Sequence, residues 1–226
     1  MTRRDLLKSL TLSVPGAAYA QQMFHGASLP TMVFQTTATS FSPAFTKSGA
    51  TLYWKWPDGT YTASNAPTKT LAAGTKIVRA QSQDGFNKVT GFNGYSQNFS
   101  GTLPSFAACT LLVNFVCHDN SFTDTLPSFA TCTVLVNFYC DDNSFSNVVA
   151  GSFATQKSLS SAQFQVNALP ASAVNQVLAD FVVSLGISGR VVCNVDLSGG
   201  TNAAPTGQGI VDKATLISAG WTVTTT

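Results

Sequence analysis

The sequence predicts a mainly β protein with a few short helices, built as a short solenoid of parallel strands preceded by a small antiparallel β module. Three observations carry this expectation. A 23-residue stretch is followed at once by its near copy, every acid is Asp with no Glu anywhere, and a hairpin signature precedes the copies. Glu is a strong helix former and Asp is not, so helix should be scarce. Ser, Thr, Asn and Gly fill the spaces between apolar residues, a composition typical of exported β-rich surface proteins, which stay soluble through hydroxyls and amides.

At 226 residues the chain is long enough for one solid domain or two small ones. Residues 1–20 read as an address. Thr2-Arg3-Arg4-Asp5-Leu6-Leu7-Lys8 resembles the twin-arginine export motif, a mildly apolar stretch follows from Leu10 to Ala17, and Ala18-Tyr19-Ala20 suits a small-x-small cleavage site. A retained N-terminal anchor or an ordinary N-terminal helix are the other readings. The apolar stretch is too short to span a bilayer, and no later stretch is long and apolar enough to do so. Removing three of twelve bases and one of ten acids with this segment leaves nine of each. That neutrality excludes nucleic acid as a partner, because its binding rests on a Lys/Arg footprint.

Residues 21–85 are expected to form the antiparallel module, which also serves as an N-terminal cap. Residues 51–61 alternate, stop at Pro57-Asp58-Gly59 and restart, and residues 74–80 supply a further strand. Trp54 and Trp56, two residues apart, share a face. They are either the core of the module or a stacking platform for sugars. The spacing from Trp54 to Asp58-Gly59-Thr60, with Gly74 and Val78 beyond, is similar to the polycystic-kidney-disease β-sandwich modules of bacterial surface proteins, although shorter.

The repeats are expected over residues 86–170. Phe99 to Ser121 is copied by Phe122 to Ser144. Leu112, Phe115, Cys117, Asn120 and Phe122 recur as Leu135, Phe138, Cys140, Asn143 and Phe145. Weaker copies flank them: Val89, Phe92, Gly94, Gln97 and Phe99 upstream, and Leu159, Ala162, Phe164, Asn167 and Leu169 downstream. A last one uses Val192, Val195 and Leu197, with Gly200 where Asn is expected. This frame resembles the leucine-rich-repeat family, and Phe99-Ser-Gly-Thr-Leu-Pro104 resembles its plant-type subclass. The resemblance implies short strands with one face inward, stacked in parallel about 4.8 Å apart. It also implies an Asn ladder bonding the loop that leaves each strand, and a ligand on the concave strand face.

Residues 171–226 read as irregular last repeats and a C-terminal cap. Val174, Val177, Leu178, Phe181, Val182 and Leu185 fall at helical spacing, and Gly186 stops that helix. A strand over Val191–Leu197, a short helix over Asp212–Ala219 and an edge strand from Trp221 complete the cap, with Trp221 closing the core.

Cys117 and Cys140 occupy equivalent inward slots, as do Cys109 and Cys132 on the opposite side, so each is expected as a buried free thiol acting as a small hydrophobe. Bridges between neighbouring repeats would be reachable but strained. On the concave face, stacking puts His118 above Asp141 and Asp119 above Asp142. Tyr95, Val116, Tyr139, Gln163 and Gln165 join them as candidate ligand-binding residues. Stacked carboxylates also suit Ca²⁺, but no metal and no cofactor are expected. No nucleophile–base pair, hydrolase motif or phosphate-binding Gly loop is present, so no catalytic residue is expected.

The function this implies is non-catalytic recognition or adhesion, exported to the periplasm or cell surface, with a protein or glycan on a cell surface as partner. The stretches Gly200-Thr-Asn-Ala-Ala-Pro205 and Ala219-Gly-Trp-Thr-Val223 resemble small repeat proteins of phages as well as bacteria. That implies an alternative, a virion receptor-binding, tail or decoration component contacting neighbouring virion proteins.

Overall fold

The computed structural model describes residues 29–226; the export signal expected at 1–20 lies outside them. The chain is mainly β, with several sheets and two helices among the described residues. The N-terminal part holds β1 (Thr31–Thr36), β2 (Ser40–Phe41), β3 (Ala44–Lys47), β4 (Tyr53–Lys55), β5 (Tyr61–Ala63), β6 (Lys69–Thr70) and β7 (Lys76–Gln81). Then follow β8 (Val89–Asn93), β9 (Phe99–Thr102), β10 (Asn114–Val116), β11 (Ser121–Thr123), β12 (Thr125–Leu126), β13 (Asn137–Tyr139), β14 (Asn147–Val148) and β15 (Ser161–Gln163). The chain closes with α1 (Ala171–Ser184), β16 (Asn194–Leu197), α2 (Gln208–Ser218) and β17 (Thr222–Thr225).

One sheet runs β17-β16-β15-β13-β10-β8-β3. From β8 to β17 every pairing is parallel and in register, so Asn114 lies beside Asn137 and Val116 beside Tyr139. The alternation in each strand is visible in burial: Phe92, Phe115, Phe138, Ala162 and Val195 point inward, and most of the residues flanking them are polar and more exposed. A second sheet runs β11-β9-β1-β7-β4-β5 on the other side of the core.

The N-terminal part is antiparallel, as expected, but the anticipated boundary at 85/86 is crossed by both sheets. β3 pairs with β8 and β1 with β9. The part therefore caps the stack by continuing its sheets. Trp54 and Trp56 are 0% and 2% exposed and lie 6.1 Å apart, with Phe41 edge-on to both. Their indole N–H groups donate to Ser64 O and Thr62 Oγ1. These indoles are core, and a sugar platform on them is ruled out by burial.

Lys47, whose side chain is fully buried, pairs with Asp84, which also accepts from Ala50 N, Ser82 Oγ and Lys88. The Lys47 ammonium holds the Asp84 carboxyl well below the usual carboxylate range, against the opposing effect of burial.

The repeat core is a set of phenylalanine columns. Phe92, Phe115, Phe138 and Phe164 follow one another at 5.6, 5.2 and 5.2 Å. Phe99, Phe122 and Phe145 make a second column at 5.4 and 6.0 Å. Phe106 and Phe129 stand edge-on to Phe115 at 4.9 and 4.8 Å, the geometry aromatic rings prefer. Phe34 closes one end against Phe92 and Phe99. At the other end Phe181 of α1 packs on Phe153 and on Trp221, and Arg190 covers the Trp221 ring. Asp180, buried in α1, accepts from the backbone N–H of Gly151 and Phe153 and so ties the helix to the stack.

Asparagines run alongside, half-buried at Asn120 and Asn143 and buried at Asn167 and Asn202. Asn143 Oδ1 accepts from Phe122 N, and its Nδ2 donates to Cys117, Cys140 and Asp141 carbonyls. Asn120 and Asn167 repeat the arrangement. At the last step the amide comes from Asn202, not from the position of Gly200, and it accepts from Leu169 N while donating to Phe164 and Leu197 carbonyls. Val192, expected inward, is 59% exposed; its neighbour Cys193 fills the core instead. Just before it, the Arg190 guanidinium donates to the carbonyls of Leu159 and Val191, and β16 starts in register with β15.

All five cysteines are free and buried. Burial pushes the thiols up, Cys109 to about 12 and Cys132 and Cys193 to about 11.

Asn143→Ala should destabilise the protein by roughly 2–3 kcal/mol, since it strands a buried N–H and several carbonyls; urea unfolding measures this. Thiol titration in denaturant without reductant should find five free groups, with none reacting promptly in the native protein. Fewer than about three after unfolding would contradict the buried-hydrophobe role.

Candidate functional site

The outward face of the parallel sheet gathers side chains from equivalent positions into columns. The first holds Gly91, Asn114, Asn137, Ser161, Asn194 and Thr222. The second holds Asn93, Val116, Tyr139, Gln163, Asp196 and Thr224. Beyond the strand ends, backbone bonds from Ser96 to His118, Asp119 to Asp141 and Asp142 to Gln165 hold a third set in step: Tyr95, His118, Asp141 and Gln165. Tyr95, Val116, His118, Tyr139, Asp141, Gln163 and Gln165 fall in the second and third sets, while Asp119 and Asp142 belong to none of the three.

Side-chain bonds fix parts of this surface. Asn137 Nδ2 donates to Asn114 Oδ1 at 2.7 Å, and the Tyr139 hydroxyl reaches Asn137 Oδ1 at 3.4 Å. Tyr95, 48% exposed, stacks on His118 with ring centres 4.4 Å apart. His118 Nδ1 lies 3.3 Å from Asp119 Oδ2. Asp141 is half-buried; burial raises its carboxyl, with nearby His118 acting in the opposite sense. No Lys or Arg belongs to any of the three columns. The face thus offers amides, hydroxyls, carboxylates and two kinds of aromatic surface.

Asp119 and Asp142 have a second reason for being where they are. Both adopt left-handed backbone, with φ of 55° and 49°, immediately before the ladder residues Asn120 and Asn143. Asp tolerates that region better than most side chains. Val166 stands at the equivalent place before Asn167, at φ 53°. A β-branched side chain is strained there.

Sequence reasoning missed Asn114, Asn137, Asn194 and Asp196 as members of the face. The signal was present: the alternation that sends Phe115 and Phe138 inward sends their neighbours outward. A groove of about 530 Å³ opens where the first column is interrupted, lined by Ala44, Thr46, Gly91, Asn93, Asn114 and Val116. Gly91 leaves the space, since a Cβ there would come within 3.2 Å of Thr46 Oγ1. Among the described residues no group of three His, Cys, Asp or Glu side chains gathers to hold a metal ion. No helix there is long and apolar enough to cross a membrane. Neither a protein-family model nor a curated protein matches the chain.

Val166→Asn should stabilise the protein by about 1 kcal/mol, because it relieves left-handed strain at a position 40% exposed. Thermal unfolding of the variant measures the gain; an unchanged or lower melting temperature would contradict the strain.

Proposed function

We propose that this chain is a non-catalytic recognition or adhesion protein, built as a short plant-type leucine-rich-repeat solenoid. It engages a protein or glycan ligand on a cell surface through the concave strand face, after export to the periplasm or cell surface. One observation carries the reading: in-register parallel strands place Tyr95, His118 and Asp141 in one outward set and Val116, Tyr139 and Gln163 in another. Rigid elements hold such a surface in shape before a ligand arrives, which lowers the entropic cost of binding.

A second reading, a virion structural component, draws on a different observation. Val183, Val192, Ile210, Val211 and Ile217, each 50% exposed or more, cluster in the C-terminal segment, which ends in the edge strand β17. Exposed apolar side chains of this kind suit contacts with neighbouring virion proteins.

Binding of the labelled protein to a panel of bacterial cells tests the first reading. Tyr139→Ala should weaken adhesion by roughly 1–2 kcal/mol at unchanged stability, because aromatic anchors dominate interface energies. Thr123→Ala, on the opposite sheet, should leave it alone. Loss with Thr123→Ala and none with Tyr139→Ala would overturn the reading.

A further inference from the structure

The chemistry of the outward columns discriminates between ligand classes. A protein interface needs large apolar anchors and Arg at its centre, with polar groups at the rim. On this face amides outnumber such anchors and Arg is absent. Its middle is Asn93, Asn114, Asn137 and Gln163 around a single aromatic, Tyr139; its one aliphatic member is Val116, and it carries no cation. The large exposed aliphatic residues lie elsewhere, most heavily in the C-terminal segment. Without Lys or Arg the face has nothing to balance a sulfate, phosphate or uronate.

Planar amides and carboxylates do match one ligand class well. Each amide offers donors and an acceptor in a fixed plane, and each carboxylate offers two acceptors, which suits adjacent hydroxyls on a ring. The bond between Asn137 and Asn114 holds these planes in place. The Tyr95–His118 ring pair, tilted by 32° with ring centres 4.4 Å apart, adds aromatic surface of the kind that takes the face of a sugar. Equivalent positions recur at each strand step, about 4.8 Å, close to the length of one pyranose unit. The groove over Gly91, about 530 Å³, is within the usual size of a small-ligand site.

We infer that the outward face binds a neutral, linear polysaccharide lying across the parallel strands, with one ring seated in the groove between Thr46 and Asn114. The inference rests on the reading of this face as the recognition surface and names its ligand.

The test is titration calorimetry of the full chain with neutral hexasaccharides (cello-, chito- and malto-oligomers), the corresponding disaccharides, and an anionic oligogalacturonate. At least one neutral hexasaccharide should bind, about tenfold or more tighter than its disaccharide, because several strands are engaged at once. Its affinity should change little between about 0.05 and 0.5 M salt, as no charge pairing is involved. Asn114→Ala and His118→Ala should each weaken it about fivefold or more, at unchanged melting temperature. Silence across the neutral panel, binding of the anionic oligomer alone, or binding that survives both substitutions overturns the inference. If the panel is silent but Tyr139→Ala still reduces adhesion to cells, the face reads protein and only the polysaccharide assignment falls. If neither responds, the recognition surface itself is misassigned.

Discussion

The rest of the structure depends on one recurring interaction: an asparagine carboxamide that closes the loop after each strand. Asn120, Asn143, Asn167 and Asn202 each accept from a backbone N–H of the preceding step and donate to carbonyls at the end of their own strand. A carboxamide supplies both roles in one small planar group, and Asn carries it on a shorter stem than Gln. An apolar residue there would leave backbone groups buried and unsatisfied, and such groups cost about 1–3 kcal/mol each. The ladder also dictates its neighbour, because the turn that aims the amide inward is left-handed at the preceding residue. Asp119 and Asp142 meet that demand with short polar side chains, and Val166 meets it under strain.

With the loops locked in step, the phenylalanines have no choice but to stack. Each repeat is too thin to bury its own rings, so the Phe115 ring packs against Phe92 and Phe138 of the neighbouring strands as well as Phe106 and Phe129. Such a stack needs closed ends. The N-terminal part closes one by pairing β3 onto β8 and laying Phe34 on Phe92 and Phe99. Helix α1, Trp221 and the Arg190 side chain close the other. The same register that aligns the rings inside aligns amides, tyrosines and Asp141 outside. Core and face are two sides of one constraint.

Much of this was legible because the repeat period speaks for itself. Phe115 and Phe138, Cys117 and Cys140, and Asn120 and Asn143 recur in register, so their shared slots followed from spacing alone. Helix α1 was readable from Val174, Val177, Leu178 and Phe181. The last repeat was harder. Its ladder residue follows the strand's last inward residue by 5 positions instead of 3, with Gly199 and Gly200 both left-handed in the added length. Gly200 lies so close to Val166 that a Cβ would sit 2.7 Å from its Cα. Single-chain spacing cannot reveal such a loop. Nor could it reveal that Arg190 reaches back to Leu159, or that Cys193 and not Val192 is the buried residue before β16. Trp54 and Trp56 were ambiguous for a different reason: alternation tells which residues share a face, but not which face is covered. Here β1 and β9 continue the sheet and the indoles are enclosed. The outward asparagines were overlooked because Asn in a repeat reads first as a turn or ladder residue.

The central claim, that the asparagine ladder holds the stack together, is tested most directly by native-state hydrogen exchange of individual amides. Phe145 and Leu169 lie outside every strand, Phe122 lies in β11 of the second sheet, and each donates its N–H to a ladder asparagine. The account predicts that these amides exchange as slowly as those of Phe115 and Phe138 inside the sheet, opening only with the whole stack. Exchange at the rate of exposed loops, with the sheet amides still protected, would contradict it.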